Sequence, residues 1–184
     1  MSLRARSRIR AICAASIPLI GLLFASDVRA SHALLAAQMH ALNAWLSTQP
    51  LLRRATDTDC GDCADDIAEL RVGSGGAWTP VPDYAPYQAV GDFNNDGEID
   101  FAVVLIDTSK QERPFVLAIF NGPLRAETPK PSFIKRGLDL RGGGLFFGPP
   151  RPKPYRLIVG HFGAESMELK PRGASYVLLG DDCC

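Results

Sequence analysis

Histidine is scarce in this sequence: His32, His40 and His161 are the only three among 184 residues. That scarcity excludes most acid–base and metal constellations. His32 and His40 stand eight positions apart, so no His-x-x-x-His pair exists. No Gly-x-Ser-x-Gly marks a nucleophile. The cluster 73-GSGG-76 lacks the Lys-Ser/Thr ending and the following helix of a phosphate loop. Beyond residue 30 there is no basic patch of the kind nucleic acid attracts. There is also no apolar run near the ~20 residues that span a bilayer.

The one long apolar run lies at the start. Arg4, Arg6, Arg8 and Arg10 precede 11-AICAASIPLIGLLFA-25, and 28-VRA-30 supplies a cleavage pattern before Ser31. This order predicts a secretory signal peptide over 1–30. Cys13 lacks the small residues that precede a lipoprotein cysteine, so no lipid anchor is expected. The predicted mature chain, 31–184, is one domain with 15 basic and 19 acidic residues and a formal charge of −4. It is expected to be soluble, without a membrane span, in the periplasm or outside the cell.

An exported chain with an even number of cysteines predicts disulfides. Cys60, Cys63, Cys183 and Cys184 allow three pairings. The preferred one ties the 60–63 loop to the C-terminal pair and closes most of the domain, and a local Cys60–Cys63 bridge is next. The spacing in 60-CGDC-63 also permits a thiol redox motif, although 53-RRATDTD-59 is too polar for the buried strand that such a motif follows. Adjacent cysteines make poor tetrahedral zinc ligands.

Apolar spacing predicts a helix within 31–50, strongest over 33–46. Leu35, Met39, Leu42 and Leu46 form one stripe, Trp45 widens it, Ser31 is a candidate cap and Pro50 ends it. Residues 53–66 read as a loop and 67-IAELRV-72 as a strand. The segment 73–86 is rich in Gly and Pro. Its Trp78 and Tyr84, with the following Tyr87, read as core lids or as contacts for a protein or glycan partner. Further strands are predicted at 87–92, 99–107, 115–121, 144–148, 155–160 and 174–180, with a hairpin connection at 108–114 and a surface loop at 148–154. The fold class is therefore α+β, mostly β: an N-terminal helix on antiparallel sheets of short strands, with the β-rich core over 67–182.

The stretch 90-VGDFNNDGEIDFAVVL-105 carries the chemistry. Asp92, Asn94, Asp96, Glu98 and Asp100 alternate along it, with Gly97 at the sixth place. A loop coiling round an ion turns positions 1, 3 and 5 inward, and Gly at six permits the sharp turn. Glu98 offers its backbone carbonyl, and Asp100 closes the set. Carboxylates ~5 Å apart repel by a few kcal/mol at a surface-like dielectric, and a divalent cation reverses that. Ca²⁺ suits the oxygen-rich set better than Mg²⁺, which retains water. Without an ion, the same residues make an Asn/Asp/Gly hairpin turn. An EF-hand is excluded, because position twelve is Val103 and a strand follows. Dockerin repeats fail at the same position.

The pattern Gly91-Asp92-Phe93-Asn94-x-Asp96-Gly97-x-x-Asp100 before an apolar strand resembles the calcium loop of FG-GAP/VCBS-type repeats. Those are the hairpin units of integrin-like propellers. The resemblance covers about 20 residues, or 40 with a degenerate second unit over 154–179, where His161 stands in place of Asp92. It implies one or two such hairpins and bound Ca²⁺. The chain is too short for a complete propeller. The expected function is a non-catalytic, calcium-binding structural or binding module whose partner is an unknown protein or glycan. The alternatives are an envelope hydrolase acting on glycan or peptide, for which Asp65 and Asp66 are the weak carboxylate candidates, and a thiol redox protein acting through Cys60 and Cys63.

Overall fold

The computed structural model describes residues 33–73, 80–148, 151 and 153–180. The expected signal peptide, the Ser31 cap, His32, Trp78, Cys183 and Cys184 lie outside the described residues. The elements are α1 (Ala36–Leu46), β1 (Leu52–Arg54), α2 (Ala64–Val72), β2 (Gln88–Gly91), β3 (Asp100–Asp107), β4 (Phe115–Phe120), β5 (Phe133–Leu138), β6 (Gly143–Phe146), β7 (Leu157–His161), β8 (Ser166–Arg172) and β9 (Ser175–Gly180). They form two antiparallel sheets. The class is α+β, mostly β.

In the first sheet β3 is central. One edge of β3 pairs with β4, and β5 lies beyond. The other edge is shared: β2 pairs with its first half, Gly91 opposite Asp100, and β1 with its second half, Leu52 opposite Asp107. Both faces of β3 and β4 are covered, which is why they read as unbroken apolar runs rather than alternating ones. Phe101, Val103, Leu105, Val116, Ala118 and Phe120 face α1. Ala102, Val104, Ile106, Phe115, Leu117 and Ile119 face a second core shared with α2 and with Leu145, Leu157, Val159 and Leu169 of the β6–β9 sheet.

The first helix buries Gln38, Ala41, Leu42 and Trp45, a stripe rotated from the expected one. Leu35 is 61% exposed. The rotation sets Trp45 edge-on to Phe120, centroids 5.5 Å apart. Gln38 Oε1 accepts from the Leu35 amide at 2.9 Å and so caps the first turn.

Three expectations are corrected. Residues 67–72 are helix, not strand, and 53–66 is not all loop, since it holds β1, a 3-10 turn at Asp57–Cys60 and the start of α2. Ile67 is buried and Leu70 half-buried, which fits helical rather than alternating spacing. Second, Cys60 and Cys63 are bonded to each other, not to the C-terminal pair. The 3-10 turn running into α2 brings their Cα atoms to 5.8 Å, within ordinary disulfide reach. Third, the 154–179 unit does not copy the 86–105 hairpin. A tight turn sends β7 directly into β8, and β9 lies one strand further out.

Candidate functional site

The acidic loop joins β2 to β3, and its polar side chains fold back on its own backbone. Asp92 uses both oxygens: Oδ1 accepts from the Asp96 amide at 3.0 Å and Oδ2 from the Gly97 amide at 2.9 Å. Asn94 Oδ1 accepts from the same Asp96 amide at 3.0 Å, so the Asp92 and Asn94 oxygens sit side by side. Asp96 Oδ1 accepts from the Glu98 amide at 2.8 Å, and Asn94 Nδ2 donates to Asp96 Oδ2 at 2.8 Å. The coil needs left-handed backbone at Asn95 (φ 59°) and Gly97 (φ 87°). Asn tolerates that conformation and Gly adopts it without steric cost. Glu98 is exposed.

Asp100 is different. It is fully buried. Its Oδ2 accepts from the Phe93 amide at 2.9 Å and the Tyr176 hydroxyl at 3.2 Å, and its Oδ1 accepts from the Gly122 amide at 2.9 Å. Burial pushes its carboxyl above the ordinary range, against the pull of the Gly122 and Phe93 amides. The same burial, with Asp100 beside it, raises the Tyr176 hydroxyl and keeps it a donor. A carboxylate has about four acceptor positions, so Asp100 keeps one, on Oδ1.

Beyond the loop itself, the partners come from three other parts of the chain. Asn121 Oδ1 accepts from Tyr176 at 2.9 Å and from Ser132 Oγ at 2.7 Å, while Ser175 Oγ donates to the Ser132 carbonyl at 2.9 Å. The floor of the loop is thus a half-buried polar network, with Asp100 and Tyr176 at its buried centre, joining the two sheets. Gly91, directly before the loop, has a steric role. A Cβ there would fall 2.1 Å from the Phe147 ring, which also packs edge-on to Phe93.

A second site is a cleft of about 420 Å³ between α2 and the β6–β7 edge. Leu70, Tyr84, Leu145, Phe146, Ile158 and Phe162 give it apolar walls. Asp66 and Glu69 stand at its helical rim, with Arg151, His161 and Ser166 on the sheet side. Tyr84 and Phe162 meet edge-on with centroids 6.1 Å apart. Among the described residues no hydrogen bond joins the His161 and Ser166 side chains. Sequence reasoning missed this cleft because its acidic rim depends on residues 64–72 being helical.

No family model matches this chain. Neither a curated protein nor a solved structure does either.

The remaining expected residues divide. Tyr84 and Tyr87 are core, 2% and 5% exposed. Burial raises both hydroxyls, and Tyr87 donates to the Leu140 carbonyl at 2.9 Å. His40 is exposed. Cys60 and Cys63 are buried, with Cys63 at the residue before α2. Among the described residues no three His, Cys, Asp or Glu side chains gather as a metal cluster. Of the five expected ligands, Asp92, Asn94 and Asp96 do bring side-chain oxygens together on one coil. Asp100 sits beneath it, and Glu98 has its amide rather than its carboxylate engaged.

Proposed function

We propose that the chain is an exported, non-catalytic binding or structural module whose 92–100 loop holds Ca²⁺ in the manner of FG-GAP/VCBS-type hairpins. The observation that carries this reading is the orientation of Asp92, Asn94 and Asp96. Their oxygens are already fixed by the loop's own amides, so an ion meets a formed coil rather than a floppy one. Each amide occupies only one acceptor position of the oxygen it reaches. The residues present fit a hard cation: Asp92, Asn94 and Asp96 through side chains, Glu98 through its carbonyl, and Asp100 through its one spare position. Bound Ca²⁺ supplies charge neutralisation and fixes the hairpin.

Two observations weigh against the alternatives. A redox-active cysteine needs an accessible thiolate, and both sulfurs of the Cys60–Cys63 bond are buried. A hydrolase reading of the cleft lacks a hydrogen-bonded nucleophile and base.

Thermal unfolding in EGTA and then in millimolar Ca²⁺ tests the proposal. An ion that binds only the native state at 100 times its Kd adds ~2.7 kcal/mol. No shift, combined with no metal in the protein as purified, overturns it.

A further inference from the structure

The α2 cleft has opposite charge at its two ends. Asp66 and Glu69 lie three residues apart, on one face of α2. Among the described residues neither forms an ion pair. The helix's own cation is turned away, since Arg71 donates to the Tyr84 carbonyl at 2.9 Å and to Asp57 at 3.0 Å. At the far end, Arg151 and Ile158 also line an adjoining recess of about 250 Å³ that includes Lys153 and the Arg156–Glu168 ion pair, 3.2 Å apart, so that it keeps a net positive charge, and that excludes the two α2 carboxylates. The groove therefore runs from an acidic rim, across apolar side chains, to a basic end. Its acidic wall is held in place by the Cys60–Cys63 bond and by Ile67, buried beneath α2.

We propose that this groove binds a short peptide by both of its charged ends. The amino group lies against Asp66 and Glu69, the carboxylate against Arg151, and an apolar side chain over Leu70, Phe146 and Phe162. The inference rests on the reading of the chain as a non-catalytic binding module, and it names that module's ligand class. The volume matches small-ligand clefts, which run from about 300 to 1,000 Å³. The acidic end disfavours polyanions, and the basic end disfavours simple polycations. A neutral glycan would use neither end. A zwitterion with an apolar middle satisfies all three zones.

The test uses the oxidised protein and the tripeptide Phe-Leu-Phe with free ends, alongside its N-acetylated, C-amidated form. Binding is followed by amide chemical shifts and by calorimetry. The free tripeptide is expected to shift α2 and β7 resonances, and blocking each end should weaken binding about tenfold, the scale of a lost charge-assisted hydrogen bond. In D66N/E69Q, acetylation should cost nothing further. In R151Q, amidation should cost nothing further. All three side chains are exposed, so these variants keep the fold. Equal binding of free and blocked peptide, or full end-dependence retained in the variants, overturns the proposal. A calcium response without peptide binding overturns this inference and leaves the proposed function standing. Cleavage of the peptide, seen by mass, overturns the non-catalytic reading on which the inference rests.

Discussion

Tyr176 on β9 donates its hydroxyl to Asp100 Oδ2 at 3.2 Å, across 76 residues of chain. That contact ties the floor of the acidic loop to the far edge of the second sheet. Asp100→Ala would orphan the Phe93 and Gly122 amides, while the Tyr176 hydroxyl keeps Asn121 Oδ1 as its acceptor. Buried donors left without partners cost ~1–3 kcal/mol each, so a loss of about 3 kcal/mol is expected in urea unfolding. Tyr176→Phe removes only one donor and should cost about 1 kcal/mol. If the two variants unfold alike, Asp100 is not the centre of the network.

Calcium should act chiefly through the coil, with the floor contributing one oxygen, from Asp100. Saturating Ca²⁺ is expected to raise Tm by about 8 °C for a chain of this size, taking ~2.7 kcal/mol at roughly 3 °C per kcal/mol. Asp96→Ala should abolish the rise while changing Tm in EGTA very little, because Asp96 is exposed. A calcium response that survives Asp96→Ala places the ion elsewhere.

Gly91→Ala forces a methyl group into the Phe147 ring, 2.1 Å from its nearest carbon. Overpacking of this kind costs about 2 kcal/mol. The double variant with Phe147→Leu should recover part of that loss in thermal unfolding. No recovery would mean that the glycine serves the loop's backbone and not the packing.

Asp59 is the clearest source of acid sensitivity. The two-pronged contact with Arg53, at 2.6 and 2.8 Å, holds its carboxyl at about 2, helped by the Thr56 amide. A depressed folded-state value stabilises above the unfolded value of 3.8, and the stabilisation is lost as pH falls from there through about 2. The full shift corresponds to about 2.5 kcal/mol. Arg53 is half exposed, and solvent reduces the figure to about 1 kcal/mol. Arg53→Gln should therefore flatten the stability-versus-pH curve between pH 4 and 2 and leave its shape near neutrality unchanged.

Reduction of Cys60–Cys63 should lower stability by about 2 kcal/mol, the chain-entropy estimate for so short a loop. Because both sulfurs are buried, a reductant followed by an alkylating agent should label Cys60 and Cys63 only on unfolding timescales. Rapid reduction under native conditions would revive the redox reading.

The sequence was most legible where one physical signal dominated. The apolar runs at 101–106 and 115–120 are strands covered on both faces, and their shortness, their Val, Ile and Phe content and their bounding Asp, Pro and Asn residues marked them as such. The Asp/Asn/Gly spacing marked the loop and its turn. Signals failed where they were divided. Residues 67–72 are only six positions long, and the spacing of Ile67, Leu70 and Val72 fits either period. β5 exposes the consecutive residues Ile134, Lys135 and Arg136, and β8 is mostly polar with a single buried residue, Leu169, so neither shows the alternation that reads as a strand.

By itself the sequence determined the mostly β class, the position of α1 and the loop that gathers Asp92, Asn94 and Asp96. Each is set by residues within a few positions of one another, through spacing and turn chemistry. Only the tertiary structure decided that Asp100 turns inward to Tyr176 and Gly122, that Gly91 makes room for Phe147, and that α2 meets the β6–β7 edge to form a charged cleft. Those outcomes depend on which distant segments share a core, and chain-local patterns carry no record of that choice.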